Sequence, residues 1–125
     1  HVITPYCVGA LLSAGIFSVP IRKKPKVLII PTGSEIVDWR DFNLDRLKPG
    51  EVLESNSYVL SSLVESCGGT FSHHDRVMDD AKQIKNAVAE ATGRDFQMVL
   101  IIGGSSAGSE DYARSVIDDV NHGMD

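Results

Sequence analysis

The chain has 125 residues, of which 42% are hydrophobic and 23% are charged, and its formal net charge is −5 at pH 7. This length predicts a single domain with one core, and the ordinary composition excludes disordered and repeat proteins. The negative charge argues against nucleic-acid binding, which favours clustered Lys and Arg, and the apolar stretch Cys7 to Phe17 is too short to span a bilayer. We therefore expect a protein that binds neither nucleic acid nor membrane.

The N-terminal segment predicts a short helix followed by a connector. The helix runs from Tyr6 to Ala14, because Pro5 suits its first turn and Gly15 its end. We expect residues 1–26 to lead into a domain that occupies residues 27–125.

Cysteine usage indicates the redox compartment. Cys7 and Cys67 lie far apart, have no CxxC partner and have apolar or small neighbours. Two reduced, partly buried thiols of this kind are typical of a cytoplasmic protein, and we expect that location.

The first predicted strand, Val27 to Ile30, consists of four apolar residues without alternation, as in a strand buried on both faces. It runs into the turn Pro31-Thr32-Gly33-Ser34-Glu35, which brings a hydroxyl, a glycine and a carboxylate to the carboxyl end of the strand. The pattern from Val37 to Glu54 is irregular and contains the turn signal Pro49-Gly50, so we expect an excursion there rather than a core element.

A helix is predicted after this excursion. Ser55 or Asn56 caps it, and it runs to about Ser66, where Gly68-Gly69 marks its end. Its apolar residues at helical spacing share one face: Val59, Leu60, Leu63 and Val64.

A strand and a second helix follow. The strand is predicted from Thr70 to Met78. The helix is predicted from Ala81 to about Ala91, because Asp80 and Gln83 have the spacing of a capping box. Asp79 is not needed for that cap and is therefore the better functional candidate of the two aspartates.

The last predicted strand, Met98 to Ile102, is apolar throughout and runs into the glycine-rich loop Gly103 to Gly108. Such a loop before a helix lets backbone N–H groups approach an anion, and a helix is predicted from Ser109 to Val120. A bound cation would explain why the carboxylates of Glu110 and Asp111 lie beside a site for an anion. Both could instead complement the helix macrodipole.

Strand and helix patterns alternate along the chain, which predicts an α/β fold, a three-layer α/β/α sandwich with a mostly parallel sheet. Ligands of such sheets bind outside the carboxyl ends of the strands. The turn at Glu35, the Asp79-Asp80 pair and the loop from Gly103 to Asp111 would then open onto one edge. We expect three acidic corners around one anion-binding loop there.

His73 and His74, with Asp75 beside them, look like a metal site at first sight. Neighbouring residues of a strand point to opposite faces, so the two imidazoles cannot easily share one ion. We therefore do not expect a zinc site at these residues.

Four motifs in order resemble the molybdopterin-binding domain of the MoeA family, the molybdenum insertases of molybdenum-cofactor biosynthesis. They are Thr32-Gly33-Ser34-Glu35, then Pro49-Gly50 with Glu54-Ser55-Asn56, then Asp79-Asp80, and then Gly103-Gly104-Ser105-Ser106-Ala107-Gly108 with Asp111-Tyr112. A lone glycine-rich loop would be weak evidence, but the order and spacing match from Lys26 to about Val120.

The resemblance implies a site and its ligands. Molybdopterin, in its adenylylated form, and molybdate would be the substrates, and Mg²⁺ would be the cofactor. The resemblance assigns the catalytic and metal-binding roles to three carboxylates, Glu35, Asp79 and Asp111. It assigns the contacts with the pterin substrate to residues of the motifs, namely Thr32, Gly33, Ser34, Asn56, Gly103, Gly104, Ser105, Ser106 and Gly108.

The implied reaction is insertion of molybdate into adenylylated molybdopterin with release of AMP, catalysed by a full-length, homodimeric parent. The family's later Pro-Gly-Asn-Pro segment does not occur in the sequence, so we expect a domain that is incomplete at its C-terminus and a fragment that is inactive alone. The alternative is a non-catalytic pterin-binding carrier or sensor.

The chain also departs from the family pattern within its motifs. Ser34 stands where the first motif has Asp, and Ser105 and Ala107 replace two valines of the glycine loop. The related domain of CinA-type nucleotide hydrolases fits less well, because its glycine loop continues Gly-Gly-Leu-Gly-Pro-Thr.

Overall fold

The computed structural model describes residues 2–41, residues 48–103 and Val116. The described helices are α1 (Pro5–Ser13), α2 (Asn56–Ser66) and α3 (Ala81–Thr92), and a short 3₁₀ turn spans Trp39–Asp41. The described strands are β1 (Lys26–Pro31), β2 (Ile36–Val37), β3 (Val52–Leu53), β4 (Thr70–His73) and β5 (Met98–Ile102).

β1 is the central strand of a parallel three-stranded sheet with the order β4-β1-β5. Val27 pairs with Phe71 on one side and with Met98 on the other. The strands predicted at Val27 to Ile30 and Met98 to Ile102 are thus confirmed, as is their parallel pairing. Val27 to Pro31 of β1 are all buried, as expected for a strand that is covered on both edges and both faces.

Helices lie on both faces of the sheet, which gives the predicted three-layer α/β/α sandwich. Leu28 and Ile30 belong to one core cluster with Val116 and with the buried residues of α3, which are Ile84, Ala87, Val88 and Ala91. Alternate residues of a strand face opposite ways, so Val27 and Ile29 face the layer of α2, which contacts β1 and β4. Ile29 and Ile30 are both completely buried, so both layers pack closely on β1.

A second small sheet lies in the region predicted to be an irregular excursion. β2 and β3 pair in parallel with Ile36 beside Val52, and Val52 N donates to Glu35 O at 2.9 Å. Two residues per strand are too few to show a period of two, so the sequence carries no signal for this sheet. The sheet holds the turn that contains Glu35 against the segment that precedes α2.

α2 packs on the sheet through a face that combines small polar residues with apolar ones. Ser57 and Ser61 are its buried residues, whereas Val59 and Leu63 are 64% and 55% exposed. Ser61 Oγ lies 2.8 Å from Nε2 of His73 on β4, and this polar contact lets a serine occupy the interface. Of the four apolar residues predicted to share one face, Leu60 and Val64 are half-buried beside these serines, so the apolar spacing marks the packed face in part.

The strand predicted from Thr70 to Met78 is shorter in the structure. β4 ends at His73, and the chain then continues to an isolated parallel bridge between Val77 and Thr32. Val77 N donates to Pro31 O at 2.9 Å, so this segment still follows β1 without a continuous ladder.

The structure describes the last predicted helix and the apolar stretches only in part, and it describes both thiols. The helix predicted from Ser109 to Val120 lies outside the described residues except for Val116, which is helical and buried. Within residues 2–41 and 48–103, no helix has the length and apolarity to cross a membrane. Cys7 is half-buried as expected, but Cys67 is exposed because it follows the end of α2 at the surface.

Candidate functional site

Three segments of the chain meet at the carboxyl edge of β1. Thr32 N donates to Ile102 O at 2.6 Å, which joins the end of β1 to the end of β5. Gly33 N donates to Val77 O at 3.0 Å, which joins the same turn to the segment that precedes α3. The predicted gathering of these three strand ends at one edge is therefore present in the described part of the chain.

Thr32 and Gly103 fix the contact between the first turn and the glycine loop. Thr32 is 5% exposed, and its Oγ1 donates to Ile102 O at 3.0 Å. A Cβ on Gly103 would overlap this Oγ1, so glycine is required where the chain leaves β5. The proton of the Thr32 hydroxyl, which is predicted to contact a pterin, is thus used within the protein, and its oxygen can still accept a hydrogen bond.

The Glu35 carboxylate lies over the glycine of its own turn. Gly33 has φ +142°, and a Cβ there would lie 2.9 Å from Glu35 Oε2. Glu35 is exposed, and its carboxylate has no hydrogen-bond partner among the described residues. Glycine at position 33 therefore permits both the backbone conformation and the position of the carboxylate.

Arg76 holds the chain on both sides of Glu35, and no sequence pattern singles it out. Its Nη1 donates to Ile36 O at 2.6 Å and to Ser34 O at 3.4 Å. The partners lie 40 and 42 positions away in the chain, so no local pattern could have indicated the contact. Arg76 thereby fixes the backbone that carries the Glu35 side chain.

The two neighbouring aspartates have different environments. Asp80 Oδ1 accepts a hydrogen bond from Gln83 N at 2.9 Å and caps α3, as the capping-box spacing predicts. Asp79 is exposed, and its carboxylate has no hydrogen-bond partner within residues 2–41 and 48–103. It lies two residues after Val77, which is bonded to the turn of Gly33. Asp79 is therefore the aspartate available to a ligand at this edge.

The other part of the predicted site falls outside the described residues. Those positions are Gly104, Ser105, Ser106, Gly108 and Asp111. Glu35 and Asp79 are two of the three predicted metal-binding carboxylates, and they lie on hydrogen-bonded neighbouring segments. No cluster of three or more His, Cys, Asp or Glu side chains suited to a metal occurs among the residues that the structure describes.

A cleft of about 230 Å³ opens beside the turn of Glu35, between β2, the first turn of α2 and the residues after β4. Glu54 and Ser57 line it, and Glu54 Oε1 accepts a hydrogen bond from Ser57 N at 2.9 Å. Ser55, predicted as a cap, makes no side-chain capping bond, so Glu54 serves this end of the helix instead. Asn56, predicted to contact the pterin, is the exposed first residue of α2.

The two histidines of the cleft bond to different partners. His73 Nε2 lies 2.8 Å from Ser61 Oγ, which itself donates to Ser57 O. Since that hydroxyl proton is used, His73 Nε2 is the donor in this pair. His74 Nδ1 donates to Asp75 O at 2.7 Å. Both rings are therefore oriented by the protein, and each by its own contact.

Comparison with known proteins identifies related sequences. The sequence profile of the family described as "Probable molybdopterin binding domain" matches residues 28–123. The chain is 28% identical over 114 residues to molybdopterin molybdenumtransferase 2 of Mycobacterium tuberculosis. The aligned region covers 91% of the chain and 27% of that protein. It is 32% identical over 112 residues to molybdopterin molybdenumtransferase of Staphylococcus aureus, with 90% and 26% covered.

A solved structure shares the fold. The crystal structure of the molybdopterin biosynthesis MoeA protein from Pyrococcus horikoshii matches with a TM-score of 0.71 and 30% sequence identity. The match covers 91% of this chain and 27% of that one. The chain thus spans about a quarter of the length of these relatives.

Proposed function

Because the chain belongs to the family of molybdopterin-binding domains, we propose that it binds molybdopterin, in its adenylylated form, at the carboxyl edge of β1. The observation that carries the proposal is the hydrogen-bonded meeting of three segments at that edge: the turn of Gly33, the segment of Val77 and the start of the glycine loop at Gly103. Ligands of parallel α/β sheets bind at this edge.

In this proposal, the glycine loop binds the anionic groups of the substrates. Backbone N–H groups between Gly104 and Gly108, ahead of the helix that the sequence predicts from Ser109, would suit both the pyrophosphate link and molybdate. Gly33, Ser34 and Asn56 form the wall that faces the pterin, and Ser105 and Ser106 add hydroxyl groups to the loop. Thr32 fixes the two loops together through its hydroxyl proton, and its oxygen would accept a hydrogen bond from the pterin.

In this proposal, the carboxylates bind a divalent cation. Glu35 and Asp79 are exposed and have no hydrogen-bond partner in the described ranges, which suits an ion that prefers carboxylate oxygen. Mg²⁺ is commonly held by one or two carboxylates together with substrate phosphate oxygens, so this donor set fits it, with Asp111 as a further ligand. Such an ion would stabilise the charge that develops when the adenylyl group leaves.

The activity of the whole protein follows as part of the proposal. A longer protein that contains this chain would insert molybdate into the pterin and release AMP in the cytoplasm, as a homodimer. Two relatives bear the name molybdopterin molybdenumtransferase, which supports transfer rather than a carrier or sensor role. Glu35, Asp79 and Asp111 would be the catalytic carboxylates, oriented toward the bond that breaks.

The binding step can be tested with this chain. Calorimetry with molybdopterin and Mg²⁺ is expected to show binding, and Asp79→Asn should weaken it about 10- to 100-fold, as expected for loss of a charged contact. Asp95→Asn is the matched control, because Asp95 is paired with Lys26 at the opposite end of β1. Absence of binding by the folded chain, or equal losses in both variants, would contradict the proposal.

The transfer step needs the longer protein. Incubation with adenylylated molybdopterin, molybdate and Mg²⁺ should release AMP, and Asp79→Asn should suppress that release. Pterin binding that survives Asp79→Asn, with no AMP released by the unaltered protein, would instead establish the carrier or sensor alternative.

A further inference from the structure

Arg76 joins the two segments that carry the carboxylates proposed to bind a cation. It precedes Asp79 by three positions in the chain. Its Nη1 donates to Ile36 O at 2.6 Å and, in a longer contact, to Ser34 O at 3.4 Å. These two carbonyls lie on either side of Glu35, and a hydrogen bond from a charged donor is stronger than one between neutral groups. One side chain therefore ties the Asp79 segment to the Glu35 turn.

The backbone beside Arg76 is itself fixed to the end of β1. Val77, the next residue, is buried, its N–H donates to Pro31 O at 2.9 Å, and its carbonyl accepts from Gly33 N at 3.0 Å. The segment is thus attached to the turn at two places, by these backbone bonds and by the guanidinium group of Arg76. A single attachment would leave one segment free to rotate about the other, whereas two attachments restrict that motion.

Arg76 bonds to the backbone and leaves the two carboxylates to a ligand. Within residues 2–41 and 48–103 it forms no ion pair, and neither Glu35 nor Asp79 has a hydrogen-bond partner there. Because no hydrogen bond or ion pair in these ranges holds the two carboxylates, the positions of their backbones decide how far apart they lie. Mg²⁺ demands near-ideal octahedral geometry, so its affinity depends on that separation.

We propose that Arg76 is a positioning residue for the divalent cation, because it fixes the separation of the Glu35 and Asp79 carboxylates by holding their two segments together. The inference rests on the proposed function, which assigns both carboxylates to the cation. Ligands that the protein already holds in place bind an ion more tightly than ligands that the ion must gather, since less freedom is lost on binding. Arg76 thus raises the affinity for a cation although it is itself positively charged.

Charge and position predict opposite effects of removing this side chain. Arg76→Met takes away a positive charge near the carboxylates, which by itself would strengthen the binding of a cation. The same substitution releases the Glu35 turn from the Asp79 segment, which weakens that binding if Arg76 acts by position. The direction of the change in affinity therefore decides between the two roles.

The test measures binding of Mn²⁺ alone to the chain, with the free ion followed by its paramagnetic resonance signal. Arg76→Met should weaken binding about 3- to 10-fold, as expected when a held ligand becomes free to move. Arg40→Met is the matched control, because Arg40 is an exposed arginine of the same cleft whose Nε lies 3.3 Å from Asp38 Oδ1 instead. This control should leave the Mn²⁺ affinity unchanged or raise it slightly.

A second variant keeps the test valid if Arg76→Met does not fold. Arg76→Lys retains the charge but is shorter and lacks the planar guanidinium, so it should weaken Mn²⁺ binding about 2- to 5-fold. An unchanged affinity in Arg76→Lys, when Arg76→Met is unfolded by urea titration, would overturn the inference.

A double-mutant cycle shows whether Arg76 acts through Glu35. In a chain that carries Glu35→Gln, adding Arg76→Met should cause less than about a twofold further loss, because the positioned carboxylate is already absent. Equal losses in both backgrounds would overturn the inference.

The remaining outcomes distinguish the inference from the proposed function. If Glu35→Gln and Asp79→Asn weaken Mn²⁺ binding but Arg76→Met matches Arg40→Met or raises the affinity, the inference fails and the proposed function stands. If neither carboxylate variant weakens Mn²⁺ binding, the cation part of the proposed function fails and the inference fails with it. If the folded chain binds no Mn²⁺, the inference is overturned, and calorimetry with molybdopterin and Mg²⁺ decides the proposed function separately.

Discussion

Gly103 has a hydrogen atom where other residues have a Cβ. The Thr32 hydroxyl can therefore lie against it, and the first turn contacts the start of the glycine loop. Gly103→Ala should displace the Thr32 hydroxyl, which would lose its bond to Ile102 O. We expect a loss of about 1–3 kcal/mol in the free energy of unfolding, the usual cost of forcing a carbon into a packed site. Urea denaturation followed by tryptophan fluorescence measures it.

A second glycine provides the control for this substitution. Gly93 follows α3 with φ −76°, and a Cβ there would meet only ordinary contacts of 3.7 Å. Gly93→Ala should therefore leave stability unchanged or raise it by about 0.4–1 kcal/mol. If Gly103→Ala proved as harmless as Gly93→Ala, the close contact with Thr32 would be contradicted.

Residues of the candidate site differ in how far the sequence could predict them. Gly33 and Glu35 could be named because they follow an apolar run at a strand end. Arg76 could not, since its contacts join residues about 40 positions apart. Ser57 could not either, because the burial of its side chain beside the cleft exists only in the folded chain.

Among the elements, α3 depends on a cap that can be separated from the candidate site. Asp80→Ala removes the acceptor of the Gln83 amide and should lower the free energy of unfolding by about 0.5–2 kcal/mol. Asp79→Ala removes an exposed carboxylate and should change it by less than about 0.5 kcal/mol.

Thermal or urea unfolding of the two variants, measured side by side, checks this pair. The binding assay should give the opposite order, with Asp79→Ala the more damaging variant. Equal destabilisation by both substitutions would mean that the two neighbours share the capping role.

The position of an element can be predicted when its own residues carry a local signal, such as an apolar run or a cap. β1 and β5 are apolar runs, and α3 begins with the spacing of a capping box, so the sequence predicts their bounds to within one or two residues. β2 and β3 are held by pairing with each other and have no period to detect. The flanking residues of α2 predict its position, but only half of its apolar residues, Leu60 and Val64, lie on the packed face, where Ser61 contacts His73.

At the scale of the whole molecule, α1 stands apart from the core. It has no buried residue: Tyr6 within the helix is 90% exposed, and Phe17, which follows it, is 82% exposed. A chain that begins at Lys23 should therefore unfold with a free energy within about 0.5 kcal/mol of the longer chain. Its solubility should rise, because exposed apolar surface is removed.

A slightly longer deletion is the control for that experiment. Pro25 O accepts a hydrogen bond from Thr70 N at 2.9 Å, and Lys26 is the first residue of β1. A chain that begins at Val27 loses both and should be measurably less stable in the same urea titration. A large loss already in the chain from Lys23 would show that α1 belongs to the cooperative unit.

The central position of β1 in the sheet has a consequence for synthesis. Ile30 pairs with Ile101, which is 71 positions later, and its other neighbour in the sheet, β4, also follows it. At about 5–20 residues per second, the apolar run of β1 emerges roughly 4–15 seconds before its last partner. During that interval Val27 to Pro31 is a ready target for a ribosome-associated chaperone or for aggregation, and folding cannot be completed before β5 has left the ribosome.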